Sequence, residues 1–339
     1  MMTHNDFDIA IELINKSASI LATTHTRPDG DACGCVAAMC EGLRALGKKV
    51  KPLMLSPVPA WYGFLFTEKV PVLGEDVQAA ELTAGGLGEF DLIVIVDTNS
   101  MSQLPKFDEY LKGNDKPVLV VDHHTTGDSL GDAELLDSTA GAAGLIVLEL
   151  FKHAGWPVTE RVAEALFVAI ATDTGWFQFS NTDSRALWAC AELIEGGAKP
   201  TPLYDSLYHN FSEARFRLMT ATLDSLELHF DGRYAAMQVT QRDFEQTGAE
   251  YSDTENLINE VHRIATVTTS ALFIELKDGR IRCSLRSKGE LDVSRIAAKF
   301  DGGGHKQAAG TFLPGPLDNA RQLILAEVAN TIDKNQDTL

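Results

Sequence analysis

The sequence predicts an α/β protein with an N-terminal doubly wound parallel-sheet domain and a smaller C-terminal α/β domain. Three observations lead there. The runs KVKPLML, DLIVIVD and VLVVDHH are nearly continuously apolar, as strands buried on both faces of a parallel sheet tend to be. Segments with helical period alternate with and follow these runs. Further along, SALFIELKDGRIRCSLRS reads as two alternating strands joined at Lys277, Asp278, Gly279 and Arg280, a turn sequence that suits a hairpin.

Taken in order, SILATTH is a strand ending in a polar cluster, and DACGCVAAMCEGLRALG is a helix closed by Gly47. KVKPLML, DLIVIVD and VLVVD follow as strands. GAAGLIVLELFKHAG and ERVAEALFVAIATDTG read as two helices, and SRALWACAELIEGG as a third that stops at paired glycines. All strong β runs of this half precede residue 125. Beyond about residue 197, AKPTPLYDSLYHNFSEARFRLMTATLDSLELHF reads as a connector and then a helix, with Pro200 and Pro202 breaking the chain. The expected domains are therefore 1–196 and 226–339, with 197–225 as connector. The second holds strand YAAMQVT, helix ENLINEVHRIA, the hairpin, helix VSRIAAKF, the glycine cluster GGGH, strand AGTFLP and a closing helix DNARQLILAEVANTI.

A chain of 339 residues suits two domains, and 45% hydrophobic with 23% charged residues supplies a packed core, which argues against disorder or a coiled coil. The net charge of −19 argues against a protein that coats long duplex nucleic acid or an anionic membrane. Charge is unevenly shared: residues 255–310 hold nine Lys/Arg against seven Asp/Glu, residues 1–254 eighteen against thirty-seven. Two solvated surfaces would explain this. So would a site with metal-neutralised carboxylates on one side and phosphate-holding cations on the other. Five cysteines, three of them crowded at Cys33, Cys35 and Cys40, match neither a disulfide framework nor a CxxC metal site and point to a reducing compartment. The opening residues lack a basic leader, and no apolar stretch approaches the roughly 18 residues of a membrane span. The expected location is the cytoplasm.

HTRPDGDA carries the most chemistry. His25, Asp29 and Asp31 follow a buried strand and open a helix, the end of an open α/β sheet where ligands bind. Asp29 or Asp31 could also serve simply as a helix cap. Two further strands end in acid: DLIVIVD at Asp97, and VLVVD at Asp122 with His123 and His124 directly after it. Parallel strands place such ends side by side. Asp173 follows the apolar run ALFVAIA and would be costly to bury alone. Carboxylate oxygens with imidazole nitrogens suit two divalent ions, Mn²⁺ first, with Mg²⁺ or Co²⁺ as alternatives. In the second domain, Arg286 and Lys288 supply charge for an anion, and Gly302, Gly303 and Gly304 let backbone N–H groups approach phosphate. The cluster Trp61, Tyr62, Phe64 and Phe66 is read as packing rather than as a base platform.

HTRPDGDA, the aspartate of VDTNS, VDHH at 121–124, ATDTG at 171–175 and GGGHKQAAG at 302–310 resemble the DHH phosphoesterase family with its DHH-associated C-terminal domain. The length without extra domains is similar to the NrnA-type oligoribonucleases of that family. The resemblance implies that His25 and Asp29 bind one ion, that Asp31, His123 and Asp173 bind the other, and that Asp97 bridges them. It further implies that His124 touches a phosphoryl oxygen while Asp122 orients the histidines. Gly302, Gly303, Gly304 and His305 would then clamp a substrate phosphate, with Arg286 and Lys288, across an active-site cleft between the domains.

The implied enzyme is a two-metal phosphoesterase that cleaves short single-stranded RNA or DNA oligonucleotides, about two to five nucleotides long, to mononucleotides. 3′-Phosphoadenosine 5′-phosphate is a second implied substrate, and a homodimer is the implied assembly. Alternatives are a phosphodiesterase for cyclic or linear diadenylate, a pyrophosphatase or exopolyphosphatase, and a non-catalytic nucleotide-binding regulator. The regulator would be expected to lack ligands, and none of the six is missing.

Overall fold

Leu, Ile and Val fill the central strands of the first sheet because both of its faces are covered. The computed structural model describes residues 3–125, 127–288 and 291–336, and the chain divides into two units, Met1–Asn210 and Phe211–Leu339. The first unit runs α1 (His4–Lys16), β1 (Ser19–Thr23), α2 (Gly30–Ala45), β2 (Lys49–Leu53), α3 (Ala79–Thr83), β3 (Leu92–Val96), α4 (Phe107–Lys112) and β4 (Val118–Asp122). It continues with β5 (Ala133–Leu136), α5 (Ala143–Ala154), α6 (Glu160–Asp173), α7 (Ser184–Glu195) and α8 (Pro200–Tyr208). Its five strands are all parallel, in the order β2-β1-β3-β4-β5. Ile20, Ala22, Val94, Val96, Leu119 and Val121 enter one core with α1, α2, α5 and α6. Leu21, Ile93, Ile95 and Val120 enter a second with Leu82 of α3 and Phe107 of α4. The sheet is thus doubly wound, as expected.

From β1 the chain adds β2 on one side and β3 on the other, so the order reverses between β1 and β3 and opens a crevice at their C-terminal ends. Against this sheet α2 and α6 approach closely through glycine. A Cβ on Gly34 would lie 2.5 Å from the Ala165 carbonyl oxygen, and one on Gly30 would overlap the Thr172 side chain. That contact sets the start of α2 beside the end of α6. The crowded thiols Cys33, Cys35 and Cys40 are buried in the same helix and unpaired, which suits small packing residues.

The second unit contains α9 (Glu213–Asp224), β6 (Glu227–His229), β7 (Tyr234–Val239), α10 (Gln241–Thr247), β8 (Thr269–Glu275) and β9 (Arg280–Ser287). After these come α11 (Val293–Ala298), β10 (Gly303–His305), β11 (Ala308–Pro314) and α12 (Leu317–Gln336). Its mixed sheet has the order β10-β11-β9-β8-β7-β6, with β7 and β8 parallel and the other pairs antiparallel. The hairpin turns at Gly279, whose φ of +83° suits glycine. Among the described residues, no helix is long and apolar enough to cross a membrane.

Structure and expectation part at three instructive places. β5 is a fifth strand beyond residue 125; its four residues AELL alternate in burial at the sheet edge and make no continuous apolar run. Pro200 and Pro202 do not break the chain but begin α8, because the first turn of a helix needs no N–H from proline. ENLINEVHRIA forms a 3₁₀ helix, Leu257–Arg263, following Asn256 at φ +65°. That tighter winding covers more length per residue on the way to β8.

Candidate metal centre

Three adjacent strands end in polar residues at the crevice: β1 leads to His25, β3 to Asp97, and β4 to Asp122, His123 and His124. Asp97 is the hub. Its backbone is left-handed, with φ +60°, a costly conformation for a non-glycine residue and one found at functional sites. Its Oδ2 lies 3.4 Å from His25 Nε2 and its Oδ1 3.5 Å from His123 Nε2. Oδ1 is buried with no hydrogen-bond partner among the described residues.

Both imidazoles are held by their far nitrogens. His25 Nδ1 lies 2.9 Å from the Thr26 carbonyl oxygen and His123 Nδ1 lies 3.1 Å from that of Ala140. A carbonyl accepts only from N–H, so each ring, once deprotonated, presents its Nε2 lone pair to the cluster. Burial alone would push His25 down, but the Asp97 carboxylate outweighs it and raises the ring to about 9. His123, opposed by burial in the same way, is raised to about 10 by Asp97 and Asp31. Burial would lift Asp97, yet the two imidazoles hold it down at about 2.

Asp29 caps α2, with Oδ1 accepting from the N–H groups of Asp31 and Ala32 at 3.0 and 3.1 Å. It still groups with His25 and Asp97, their ligand atoms lying within 4.8 Å of one another, so capping and ligation are compatible. Asp31, His123 and Asp173 form a second such group, and Asp97, His123 and His124 a third. Asp31 accepts from Ala143 N at 2.6 Å and Gly144 N at 2.9 Å, fixing its carboxylate to the first turn of α5. Burial, then Asp97 and Asp173, push Asp31 well up. Burial also lifts Asp173, opposed by His123 and reinforced by Asp97, to about 7.

The donor set fits two divalent cations. Four carboxylates and two imidazoles converge, one carboxylate oxygen is buried without a donor, and all donors are oxygen or nitrogen. Beside them Asp122 is fully buried, and its Oδ1 accepts from the His123 backbone at 2.8 Å. His124, half exposed, is raised chiefly by its hydrogen bond to Asp122. Sequence reasoning missed Asn181, whose Nδ2 donates to the carbonyls of Gly141 and Asp173 at 2.9 and 3.1 Å and so ties the Asp173 turn to the start of α5. An isolated Asn in a polar stretch carries no signal for that role. Trp61, Tyr62, Phe64 and Phe66 pack, partly buried, against the N-terminal core.

In the second unit, positions 305, 308, 286 and 270 form one row across β10, β11, β9 and β8. Arg286 is thus separated from the end of the glycine cluster only by Ala308. Burial pushes the Arg286 guanidinium down, and Arg282 adds to this. Lys288 Nζ donates to the carbonyls of His262 and Ile264 at 3.0 and 3.3 Å. A Cβ on Gly302 or Gly304 would overlap the facing β11 backbone, whereas one on Gly303 would meet open space. Two of the three glycines are therefore needed for close packing, whereas Gly303 has room for a side chain. The His305 side chain lies outside the described residues.

Residues 19–170 match the DHH family, N-terminal domain, and residues 231–334 the DHHA1 domain. Over 320 residues the chain is 30% identical to the bifunctional oligoribonuclease and PAP phosphatase NrnA of Thermus thermophilus, spanning 93% of this chain and 90% of that protein. It is 26% identical over 306 residues to the protein of the same name from Bacillus subtilis, spanning 89% and 92%. In fold it is similar to an exopolyphosphatase-related protein from Bacteroides fragilis, with a TM-score of 0.91 at 22% identity over 97% and 96% of the two chains. Matched in both halves and along nearly all of a relative, the chain belongs to the DHH family.

Proposed function

We propose that the chain is a metal-dependent phosphoesterase that hydrolyses single-stranded oligonucleotides of about two to five nucleotides to mononucleotides. It would also convert 3′-phosphoadenosine 5′-phosphate to AMP. The observation that carries this reading is the six-residue cluster at the sheet's reversal point, in a chain 30% identical to an oligoribonuclease and PAP phosphatase.

In this reading His25 and Asp29 would hold one divalent ion, Asp31, His123 and Asp173 would hold the other, and Asp97 would serve both. The separate aim of the two Asp97 oxygens supports that bridge. Two divalent ions held there, Mn²⁺ by preference, would supply polarisation of the phosphoryl group and an acidified water. The Thr26 and Ala140 carbonyls keep the two rings turned, so each offers Nε2 without rearrangement. The hydrogen bond from His124 Nδ1 to Asp122 raises the imidazole, whose Nε2 would give a proton to the leaving oxygen. Arg286 and Lys288, with Gly302, Gly303, Gly304 and His305, hold a phosphate of the substrate. Arg286→Ala should raise KM about ten-fold or more while leaving metal content intact. The net charge of −19 keeps long duplexes away, and five free cysteines accord with the cytoplasm.

The test is product release from a 5′-labelled RNA dinucleotide, a pentamer, a long oligomer and 3′-phosphoadenosine 5′-phosphate, each with Mn²⁺ and with EDTA. Metal-dependent cleavage that fades with length is expected, and the labelled fragments report polarity. Inertness toward all four, with brisk phosphate release from pyrophosphate or polyphosphate, would overturn the reading.

A further inference from the structure

Phe179 lies in the loop that follows Asp173, and its side chain is 59% exposed. Trp176 and Phe177 of the same loop pack against the hydrophobic core, and Phe179 takes no part in it. This exposure is imposed by a tightly tied loop. The N–H groups of Gln178 and Phe179 both donate to the Thr174 carbonyl, at 3.0 and 3.1 Å, and Thr182 N donates to the Phe179 carbonyl at 3.1 Å. Gly175, Trp176 and Phe177 are consecutive left-handed residues, with φ of +57°, +52° and +66°. Such a run is sterically costly for two aromatic residues and is kept where the surroundings over-determine it. A Cβ on Gly175 would lie 2.6 Å from the Phe179 ring, so the ring rests against bare glycine backbone.

The loop is also anchored to the metal centre. Asn181 Nδ2 lies 3.4 Å from Asp173 Oδ2, and it donates to the carbonyl of Gly141, the neighbour of the residue that orients His123. Residues 179 and 181 are at most about 7 Å apart along the chain. The exposed ring therefore rests on Gly175, two residues from Asp173, in a loop that Asn181 ties to the cluster.

We infer that Phe179 is a stacking platform for the base of the nucleotide whose phosphate sits at the metal centre. This rests on the oligonucleotide reading above and adds the feature that reading lacks, a contact for the base. Ring stacking tolerates every base because each has a π face, and it needs no positive charge. It gives an acidic protein a hold on nucleotides that pyrophosphate and polyphosphate cannot use.

Wild type, Phe179→Ala and Phe179→Trp are to be compared on an adenylyl dinucleotide and on the same dinucleotide lacking the base next to the scissile phosphate, with metal content measured in parallel. Wild type should favour the base-bearing substrate, read as the ratio of the two KM values. That preference should shrink about ten-fold in Phe179→Ala, the loss falling on KM rather than kcat, and persist in Phe179→Trp. An unchanged preference in Phe179→Ala overturns the inference. So does a joint fall of kcat and metal content, which would mark a residue that positions Asp173. Wild type inert toward both dinucleotides would instead bring down the oligonucleotide reading and this inference with it.

Discussion

Nδ1 of His124 lies 2.7 Å from Oδ1 of the fully buried Asp122. The carboxylate cannot be solvated there, so the imidazolium is its natural partner, and His124 is raised accordingly. Replacing Asp122 by Asn removes the charge that holds this proton. In Asp122→Asn we expect kcat to fall roughly 100-fold with KM little changed. A general acid must be protonated, so the alkaline limb of the pH–rate profile should also move to lower pH. A profile superimposable on wild type would remove His124 from proton transfer.

Asp97 faces both imidazoles, one with each oxygen. Asp97→Ala should therefore cost more than the loss of an outlying ligand. The expectation is a fall in turnover of about a thousand-fold or more, with metal content below two ions per chain by elemental analysis. Full activity with equal metal content would refute a bridged pair.

The cluster makes stability depend on pH with a definite sign. His25 and His123 are raised to about 9 and about 10 in the metal-free chain, and Asp173 to about 7. Groups raised on folding stabilise below their unfolded pKa, and that stabilisation drains away as pH climbs through the folded value. For the imidazoles the loss runs from about 6.5 up to 9–10, and for Asp173 from about 4 to 7. Asp97 has the opposite sign, but at about 2 it acts only in strong acid. EDTA-treated protein should thus lose Tm as pH rises from 6 to 10. Divalent ions need the deprotonated ligands, so their affinity should rise over the same range, with protons released on binding. Titration calorimetry in buffers of different ionisation enthalpy reads that release directly.

Gly34 lets α2 touch α6, and a side chain there meets the Ala165 backbone. Gly34→Val should destabilise by about 1–3 kcal/mol in urea unfolding. It should also weaken metal binding, because the same helix contact sets Asp31 of α2 beside Asp173 of α6. Stability lost with metal affinity intact would show that the site tolerates a shift between the two helices.

The apolar runs of β1, β3 and β4 and the polar residues that end them are legible in the sequence, because burial on both faces leaves no alternation and a carboxylate after such a run has no ordinary reason to be there. β5 was not legible, since four alternating residues at a sheet edge give too short a pattern. Nor was the fate of Pro200, which depends on whether a helix begins or continues at that point. The types and approximate neighbourhood of His25, Asp29, Asp31, Asp97, His123 and Asp173 follow from local pattern and strand order.

Only the tertiary structure decided how those residues are held. Asp31 is fixed by N–H groups more than a hundred positions away, at Ala143 and Gly144, and His123 by the Ala140 carbonyl. Arg286 reaches the row of the glycine cluster through the register of β9, β11 and β10. Phe179 stays exposed because the turn beneath it is tied at both ends, while two neighbouring aromatics, partly buried, pack against the core. Hydrophobic period reports which face of a segment leaves water, and so determines the elements and their order. Register, helix approach and hydrogen bonds across long sequence separations are settled only when those faces meet, and they decide which oxygen, nitrogen or ring is left facing the site.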